Sequence, residues 1–551
     1  MIIGFDMGGT HADVVLLKNG EVYKKMKYPR QEDFLSSIMK PLDEILKDED
    51  LSSIERIVLS TTLSTNAIIE NRMGTVGMIV QPGPGLNLEF LEGFFPVHYV
   101  DGYIDHRGRE RVPLNIRQVK TAGEKLKGCG AEYLGVVGKF STRNPLHEIK
   151  INEAVGRIFE YSTMGHILSG NLNFPRRIFT TYLNSGVWKT YRGFLDGIKN
   201  SLVKRNITVP IYILKADGGT FEGEAAADRP VETILSGPAA SIMGALALNP
   251  MKEDGIILDI GGTTTDISFL AEGIPLFEPR GIEVAGFKTL IRGLYSRSIG
   301  VGGDSLVEFK EGHLKIGPKR AGPAMAFGGC LPTPTDAMVV LGLLREGSES
   351  RARRGIETLA RKQGLSIRET AAMIYEKMGE IIAGNIRKFL LEVNSRPVYT
   401  IYELLHGKKV SPKKAVLVGG PALGLSSVIS RKLGIPCTVP KGFETANALG
   451  AALARVTAEL TLVADTQEGV LIIGEEEIRE RISSGFTLDE AKKLLFSRLK
   501  QRYKKLGGDS NIPVEIIEQE QFNVVRGFYT AGKIIRLKAQ VKPGVRRDRD
   551  D

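Results

Sequence analysis

Short aliphatic runs recur at matched places in the two halves of the chain. Residues 2–5 (Ile-Ile-Gly-Phe) and 256–258 (Ile-Ile-Leu) each lead into Asp-x-Gly-Gly-Thr, and each copy resumes as a second apolar run, Val14–Leu17 and Ile267–Leu270. Runs this short suit buried strands, and the few residues between them leave no room for a helix. Each copy is therefore predicted to be a β-hairpin with a glycine tip. A second turn follows, Lys18-Asn19-Gly20 in one copy and Ala271-Glu272-Gly273 in the other, before "EVYKKMKY" and "IPLF". Asn-Gly between strands is a hairpin signal. Each half is expected to open as a three-stranded meander.

Elsewhere the pattern is helical. "SGPAASIMGALAL" from Ser236 and "ETANALGAALARV" from Glu444 each present a small-residue face: Ala240, Gly244 and Ala245 in one, Ala446, Gly450 and Ala451 in the other. Such faces let two helix backbones cross closely, and a crossing of low bulk between lobes can pivot as a hinge. "AVLVGGPALGL" from Ala415 reads as strand, Gly-Gly-Pro turn and helix start. Ser366 with Glu369 forms a capping box ahead of a long amphipathic helix with Ile367, Ala371, Ile374, Met378, Ile381 and Phe389 as its core stripe. Thr487 with Glu490 repeats the device, and the β-like stretches "VEIIEQEQFNVV" and "KIIRLKAQV" follow. A small α+β module is expected there, ending in a disordered "RRDRDD" tail.

Bulk properties narrow the classes. At roughly 100–200 residues per domain, 551 residues imply about three or four domains. The net charge of +10 is interleaved with acids, which indicates solvated helix faces rather than a nucleic-acid groove. Cys129, Cys330 and Cys437 show no CxxC spacing, so neither zinc nor a disulfide framework is indicated. His98, His106, His147, His166, His313 and His406 have no ligand spacing and receive no role. The N-terminus carries Asp6 inside its apolar run and reads as a first strand, not a signal peptide. No run approaches the ~18 apolar residues of a membrane span, and a cytoplasmic location is expected.

The hairpin tips carry the candidate chemistry. Gly8, Gly9, Gly261 and Gly262 lack a Cβ, so their N–H groups can approach an anion closely, and Thr10 and Thr263, with Thr264, add hydroxyl donors. Asp6 and Asp259 cannot favourably touch phosphate but can hold a hydrated Mg²⁺ that bridges phosphate oxygens. No GxxxxGK[ST] P-loop occurs. Two facing hairpins would clamp the triphosphate of ATP. Asp13 and Asp266 either orient an attacking oxygen or brace the hairpins. Gly419 and Gly420 either admit a flat adenine or form an ordinary strand-to-helix turn. Ser60, Thr61, Thr62, Ser64, Thr65 and Asn66 follow the strand "RIVLS", where open α/β folds place polar pockets.

Phosphate hairpin, crossing helix, phosphate hairpin, Gly-Gly turn, crossing helix: in this order the chain resembles the actin, sugar kinase and Hsp70 ATPase superfamily. The implied fold is α/β, with duplicated actin-like (ribonuclease H-like) lobes around a central nucleotide cleft and the C-terminal module appended. The expected divisions are 1–245, with an insertion at about 75–230, then 246–465 and 466–551. Six blocks resemble the hydantoinase/oxoprolinase family, as a hydantoinase A-type ATP-binding subunit: "STTLSTNAIIENR", "ETILSGPAASIMGA", "DIGGTTTDIS", "IGVGGDSLVEF", "LKIGPKRAGP" and "PTPTDAMVVLG". The resemblance implies ATP-driven activation of an amide or enolate oxygen, usually with a hydantoinase B-type partner. It also implies nucleotide contacts at Gly302 and Gly303 and a substrate near Thr62 and Asn66. The main expectation is an ATP-dependent hydrolase of a cyclic amide such as a hydantoin or 5-oxoproline. The alternatives are an acetone or acetophenone carboxylase-like subunit, a small-molecule kinase and an ATP-switched regulator. Two residues depart from the family pattern. His11 stands where Phe is commoner, as a tip residue or a substrate contact, and Asp304 stands at a usual glycine.

Overall fold

The run Ile2–Met7 is buried at every position. It pairs antiparallel with His11–Lys18, which pairs in turn with Glu21–Pro29. On its other side it runs parallel to Arg56–Thr61, and the sheet continues through Ile211–Leu214 to Thr220–Glu222. The second copy repeats the plan: Gly255–Ile260 pairs antiparallel with Thr265–Ala271 and parallel with Lys414–Val418, beyond which lies Cys437–Thr438. Its third strand shortens to Ile274–Pro275, and Arg297–Ile299 takes the rest of that edge. This computed structural model describes residues 1–8, 11–31, 33–225, 227–395, 409–509 and 513–546. Gly9, Thr10, His406 and, after Arg546, the "RRDRDD" tail lie outside them.

Together the sheets make a mixed α/β fold. Between Arg56–Thr61 and Ile211–Leu214 lies a separate parallel sheet, in the order Tyr161–Met164, Tyr133–Gly138, Val76–Gln81, Val97–Tyr99. Its two central strands are buried throughout, as parallel strands covered on both faces are. This sheet closes at Met164, and the helix Phe174–Val203 returns the chain to the first sheet, where Ile211–Leu214 falls within the stretch expected to be inserted. The last sheet has the order Ile478–Arg481, Val470–Ile473, Glu459–Asp465, Tyr529–Val541, Val514–Arg526, with the helix Leu488–Lys505 packed on it. It thus recruits a strand that precedes residue 466. Among the described residues no helix is long and apolar enough to cross a membrane.

Both capping boxes form, at Ser366/Glu369 and Thr487/Glu490. In the helix Ile367–Asn394 the buried stripe runs Ala371, Ile374, Met378, Ile382, Ile386, Phe389. Ile382, rather than the expected Ile381, keeps the 3.6-residue period on the core side. The helices Ser236–Leu248 and Ala446–Leu453 cross in backbone contact. A Cβ on Gly244 would stand 1.9 Å from the Ala446 carbonyl oxygen, and one on Gly450 would stand 2.1 Å from that of Ala240. The second helix also lies on Ile2–Met7, where a Cβ on Gly4 would meet the Ala448 carbonyl at 2.3 Å.

One histidine whose spacing suggests no role has a structural one. His166 is fully buried; its Nδ1 faces the buried Glu148 carboxylate and its Nε2 lies 3.2 Å from Glu477 of the C-terminal sheet region. Burial alone would lower its pKa, but the charge and hydrogen bond of Glu148, then Glu477, raise it to about 9. Because the folded pKa exceeds the unfolded value of 6.5, this pair's stabilisation is complete below about pH 6.5 and lost as pH rises through about 9. His166→Gln, which leaves Glu148 without its cation, is expected to cost about 3–5 kcal/mol. It should also flatten the fall in melting temperature between pH 7 and 10, and scanning calorimetry of both proteins across that range checks this.

Candidate functional site

At their described residues the two hairpins pair and close alike. In the first, Asp6 stands opposite Asp13, and the tip closes with Gly8 N–H donating to His11 O at 3.0 Å. In the second, Asp259 stands opposite Asp266, and Gly261 N–H donates to Thr264 O at 2.9 Å. Glycine suits Gly8 and Gly261 because a Cβ there would crowd the carbonyl across the tip, at 3.2 and 3.3 Å.

One side chain brings the hairpins together. Asn447, in the first turn of Ala446–Leu453, donates its Nδ2 to Asp6 Oδ2 at 3.3 Å and to Asp259 Oδ2 at 3.2 Å. From the other crossing helix the Ser241 hydroxyl also donates to Asp259 Oδ2. The convergence is electrostatically costly. Burial, then the charges of Asp13 and Asp259, lift the Asp6 pKa to about 7 against the hydrogen bond of Asn447. Burial and Asp259 raise Asp266 to about 6. Burial also raises Asp13, although Lys27, 3.3 Å away, opposes it. Among the described residues no three His, Cys, Asp or Glu side chains gather as a direct metal cage. Removing the shared amide by Asn447→Ala is expected to cost about 1–3 kcal/mol, because two carboxylates lose one buried donor. Denaturant unfolding measures the loss, and Asn447→Asp should be worse than Asn447→Ala.

The glycine-rich turn packs beneath the second tip. Gly303 N–H donates to Gly261 O at 2.9 Å and Asp304 N–H to Gly262 O at 2.7 Å. A Cβ on Gly302 would lie 2.5 Å from Gly261 O, and one on Gly303 would lie 2.5 Å from the Pro421 ring. These two glycines thus seat the turn against the hairpin. Gly419, at φ +89°, packs against Ile260 and Asp259, whereas nothing lies within 4 Å of a Cβ on Gly420. Thr263 is exposed and Thr264 half-buried. Lys27 and Arg320 bring positive charge to the first tip: both help hold the His11 pKa down, after burial.

The hydroxyl cluster is largely spent on structure. Ser236 donates to Thr61 O at 2.9 Å, Ser64 meets Thr233 at 2.9 Å, and Thr65 accepts from Leu235 N–H at 2.9 Å. These bonds hold Leu235 at φ 55°, a left-handed conformation that launches the crossing helix. Thr62 and Asn66 pair with each other at 3.4 Å. A cleft of about 790 Å³ opens instead beside Asp266, between Leu235 and Pro238 on one wall and Glu278, Arg297 and Ser298 on the other. Thr62 and Asn66 are not among its lining residues. Neither Asn447, nor Ser241, nor this cleft is signalled by a sequence motif. Only the position of Asn447 inside the small-residue helix hints at a role.

Family models for the hydantoinase/oxoprolinase N-terminal region and for hydantoinase/oxoprolinase match residues 2–159 and 177–460. The chain belongs to the hydantoinase/oxoprolinase family. Within this family it is 25% identical over 390 residues to the caprolactamase subunit alpha of Pseudomonas jessenii, covering 63% of this chain and 55% of that protein. It is 24% identical over 452 residues to the acetophenone carboxylase gamma subunit of Aromatoleum aromaticum, covering 70% and 60%. The chain thus spans little more than half the length of these relatives. The crystal structure of the ATP-dependent caprolactamase from Pseudomonas jessenii superposes with a TM-score of 0.70 at 18% identity, over 100% of this chain and 88% of that one, which shows a common fold.

Proposed function

We propose that this chain is the ATP-binding subunit of an ATP-dependent hydrolase that activates a cyclic amide at its oxygen. The single observation that carries the reading is the amide of Asn447, which bonds Asp6 and Asp259 and so joins two similarly paired hairpins in one site. In this reading the two sheets of like strand order are duplicated actin-like lobes, with the nucleotide between their hairpin tips. Gly8 and Gly261 leave room for phosphate oxygens, with Gly9 and Thr10 assigned the same part, and Gly420 leaves open space for the base. The donor set fits Mg²⁺, which is commonly held by one or two carboxylates and water. Asp6 and Asp259 would hold it, and it would supply neutralising charge to the phosphates. The crowding supports this: burial first, then neighbouring carboxylate charge, raises Asp6 to about 7 and Asp266 to about 6, a cost that a bound cation would relieve.

The cyclic amide is assigned to the cleft beside Asp266, its oxygen directed at the terminal phosphate. Attack there forms an oxygen–phosphorus bond and releases ADP. Water adds at the carbon of the phosphorylated imidate, the ring C–N bond breaks as the nitrogen leaves as the amine, and a second water hydrolyses the resulting acyl phosphate to the carboxylate and free phosphate. The chain's contribution is positioning and exclusion of competing geometries, as in other phosphoryl transfers. A hydantoinase B-type subunit is the proposed partner for the hydrolytic half. The likeness to an acetophenone carboxylase subunit favours a second reading, in which an enolate or bicarbonate oxygen takes the phosphate.

The test is ATP turnover by the full chain, alone and with a B-type subunit. Hydantoin, caprolactam and 5-oxoproline are compared with ketone plus bicarbonate. Lactam-stimulated release of free phosphate supports the hydrolase, and bicarbonate-dependent turnover shifts the assignment to the carboxylase.

A further inference from the structure

One arginine acts both on His11, beside the first tip, and on Asp304, in the glycine-rich turn. Arg320 Nη2 donates to Asp304 Oδ2 at 2.9 Å. Its charge also bears on His11, which belongs to the other sheet. Asp304 in turn sits on the second tip: a Cβ on Gly262 would stand 2.5 Å from its Oδ2. Arg320 is therefore bonded at the second hairpin's turn and within electrostatic reach of His11 on the first. A lone carboxylate pressed on Gly262 would repel phosphate there, and the guanidinium cancels that repulsion. An arginine carries five N–H donors in a planar fork suited to phosphate oxygens. The Arg320 side chain keeps 28% of its exposure and that of Asp304 18%, so the pair is partly open to solvent rather than sealed in the core.

We propose that Arg320 is a further nucleotide-binding residue that reads the terminal phosphate. When a nucleoside triphosphate enters between the hairpins, the guanidinium turns from Asp304 to the terminal phosphate oxygens. Asp304 is the counterion that parks it beside the site in the empty protein. Nucleoside diphosphate, lacking that group, leaves the Arg320–Asp304 pair intact. This inference rests on the reading of the hairpins as an ATP site.

Calorimetric titration of the full chain with Mg-ATP and Mg-ADP tests it, on wild type, Arg320→Ala, Arg320→Lys and Asp304→Asn, with thermal melts to confirm folding. Arg320→Ala is expected to weaken ATP binding by roughly ten- to a hundredfold, the worth of a charge-assisted hydrogen bond, and to leave ADP within about twofold. Arg320→Lys should recover part of the loss, and Asp304→Asn should bind ATP more tightly than wild type. Equal weakening of ATP and ADP by Arg320→Ala, or unchanged affinity for both, overturns the proposal. Should Asp304→Asn fail to fold, the two arginine variants decide alone. A wild-type chain that binds neither nucleotide overturns the ATP reading itself, which separates the two failures.

Discussion

Asp6→Asn is expected to abolish ATP turnover, by about a thousandfold or more, in a protein that folds normally and melts at a higher temperature. The side chain is 7% exposed, and Asn keeps its shape and an oxygen that can still accept from Asn447. The change removes one negative charge from a site that gathers Asp6, Asp13, Asp259 and Asp266. Burial, then the charges of Asp13 and Asp259, raise the Asp6 pKa to about 7 from 3.8. With the folded pKa above the unfolded one, the folded state binds its proton more tightly. Stability therefore declines as pH rises from about 4 to about 7, and the full cost is present above that window. Asn does not incur this cost, so a gain of about 1–3 kcal/mol is expected at pH 8, discounted from the several kcal/mol that the shift alone implies. Loss of function with gain of stability is the signature of a carboxylate kept for its charge. Steady-state turnover and melting curves at pH 5 and 8 provide the check. Undiminished turnover would refute the assigned role.

The second large effect is structural and reaches the same site. Gly244→Ala and Gly450→Ala each place a methyl group within about 2 Å of a facing backbone carbonyl oxygen, at 1.9 and 2.1 Å. Backbone cannot swing aside as a long side chain can, so each substitution must separate the helices Ser236–Leu248 and Ala446–Leu453. Overpacking a core costs about 1–3 kcal/mol when neighbours can adjust, and a cost of about 3 kcal/mol or more is expected here. Ser241 and Asn447, which bond Asp259 and Asp6, lie one helical turn from Gly244 and Gly450. Spreading the crossing therefore pulls the two carboxylates apart, and nucleotide affinity should fall with stability. The double variant should cost less than the sum, because both methyl groups disrupt one contact. Gly384→Ala is the control: it is an exposed position in Ile367–Asn394 with nothing within 4 Å of its Cβ, where alanine should add about 0.5–1 kcal/mol. Urea unfolding of wild type and the four variants gives the ranking.

Much of this site is legible in the local pattern of the chain. The paired hairpins follow from aliphatic runs too short and too closely spaced to be helices. The capping boxes follow from Ser or Thr three residues ahead of Glu, and both crossing helices follow from small residues four apart. Other features are illegible because their causes are not local. Ile381 and Ile382 are equally apolar, and only the position of the core says which is buried. The hydroxyl cluster at Ser60–Asn66 has the composition of a polar pocket, yet most of its bonds go to residues 233–236, far away in sequence. Gly302 and Gly303 look like a phosphate loop, and only the packing adds that the second hairpin's carbonyl over Gly302 and the Pro421 ring beside Gly303 leave no room for a Cβ.

Local sequence is enough for the parts: two Asp-x-Gly-Gly-Thr hairpins, the small-residue helices that can cross and the family to which the order belongs. Each of these rests on neighbours within a few residues, where periodicity and turn chemistry act directly. Long-range packing alone sets the joining of Asp6 to Asp259 by Asn447, the pairing of Arg320 with Asp304 and the opening of the cleft beside Asp266. Those relations depend on how separate sheets meet through a glycine-lined crossing, and no local pattern of polarity encodes a distance between segments that far apart in the chain.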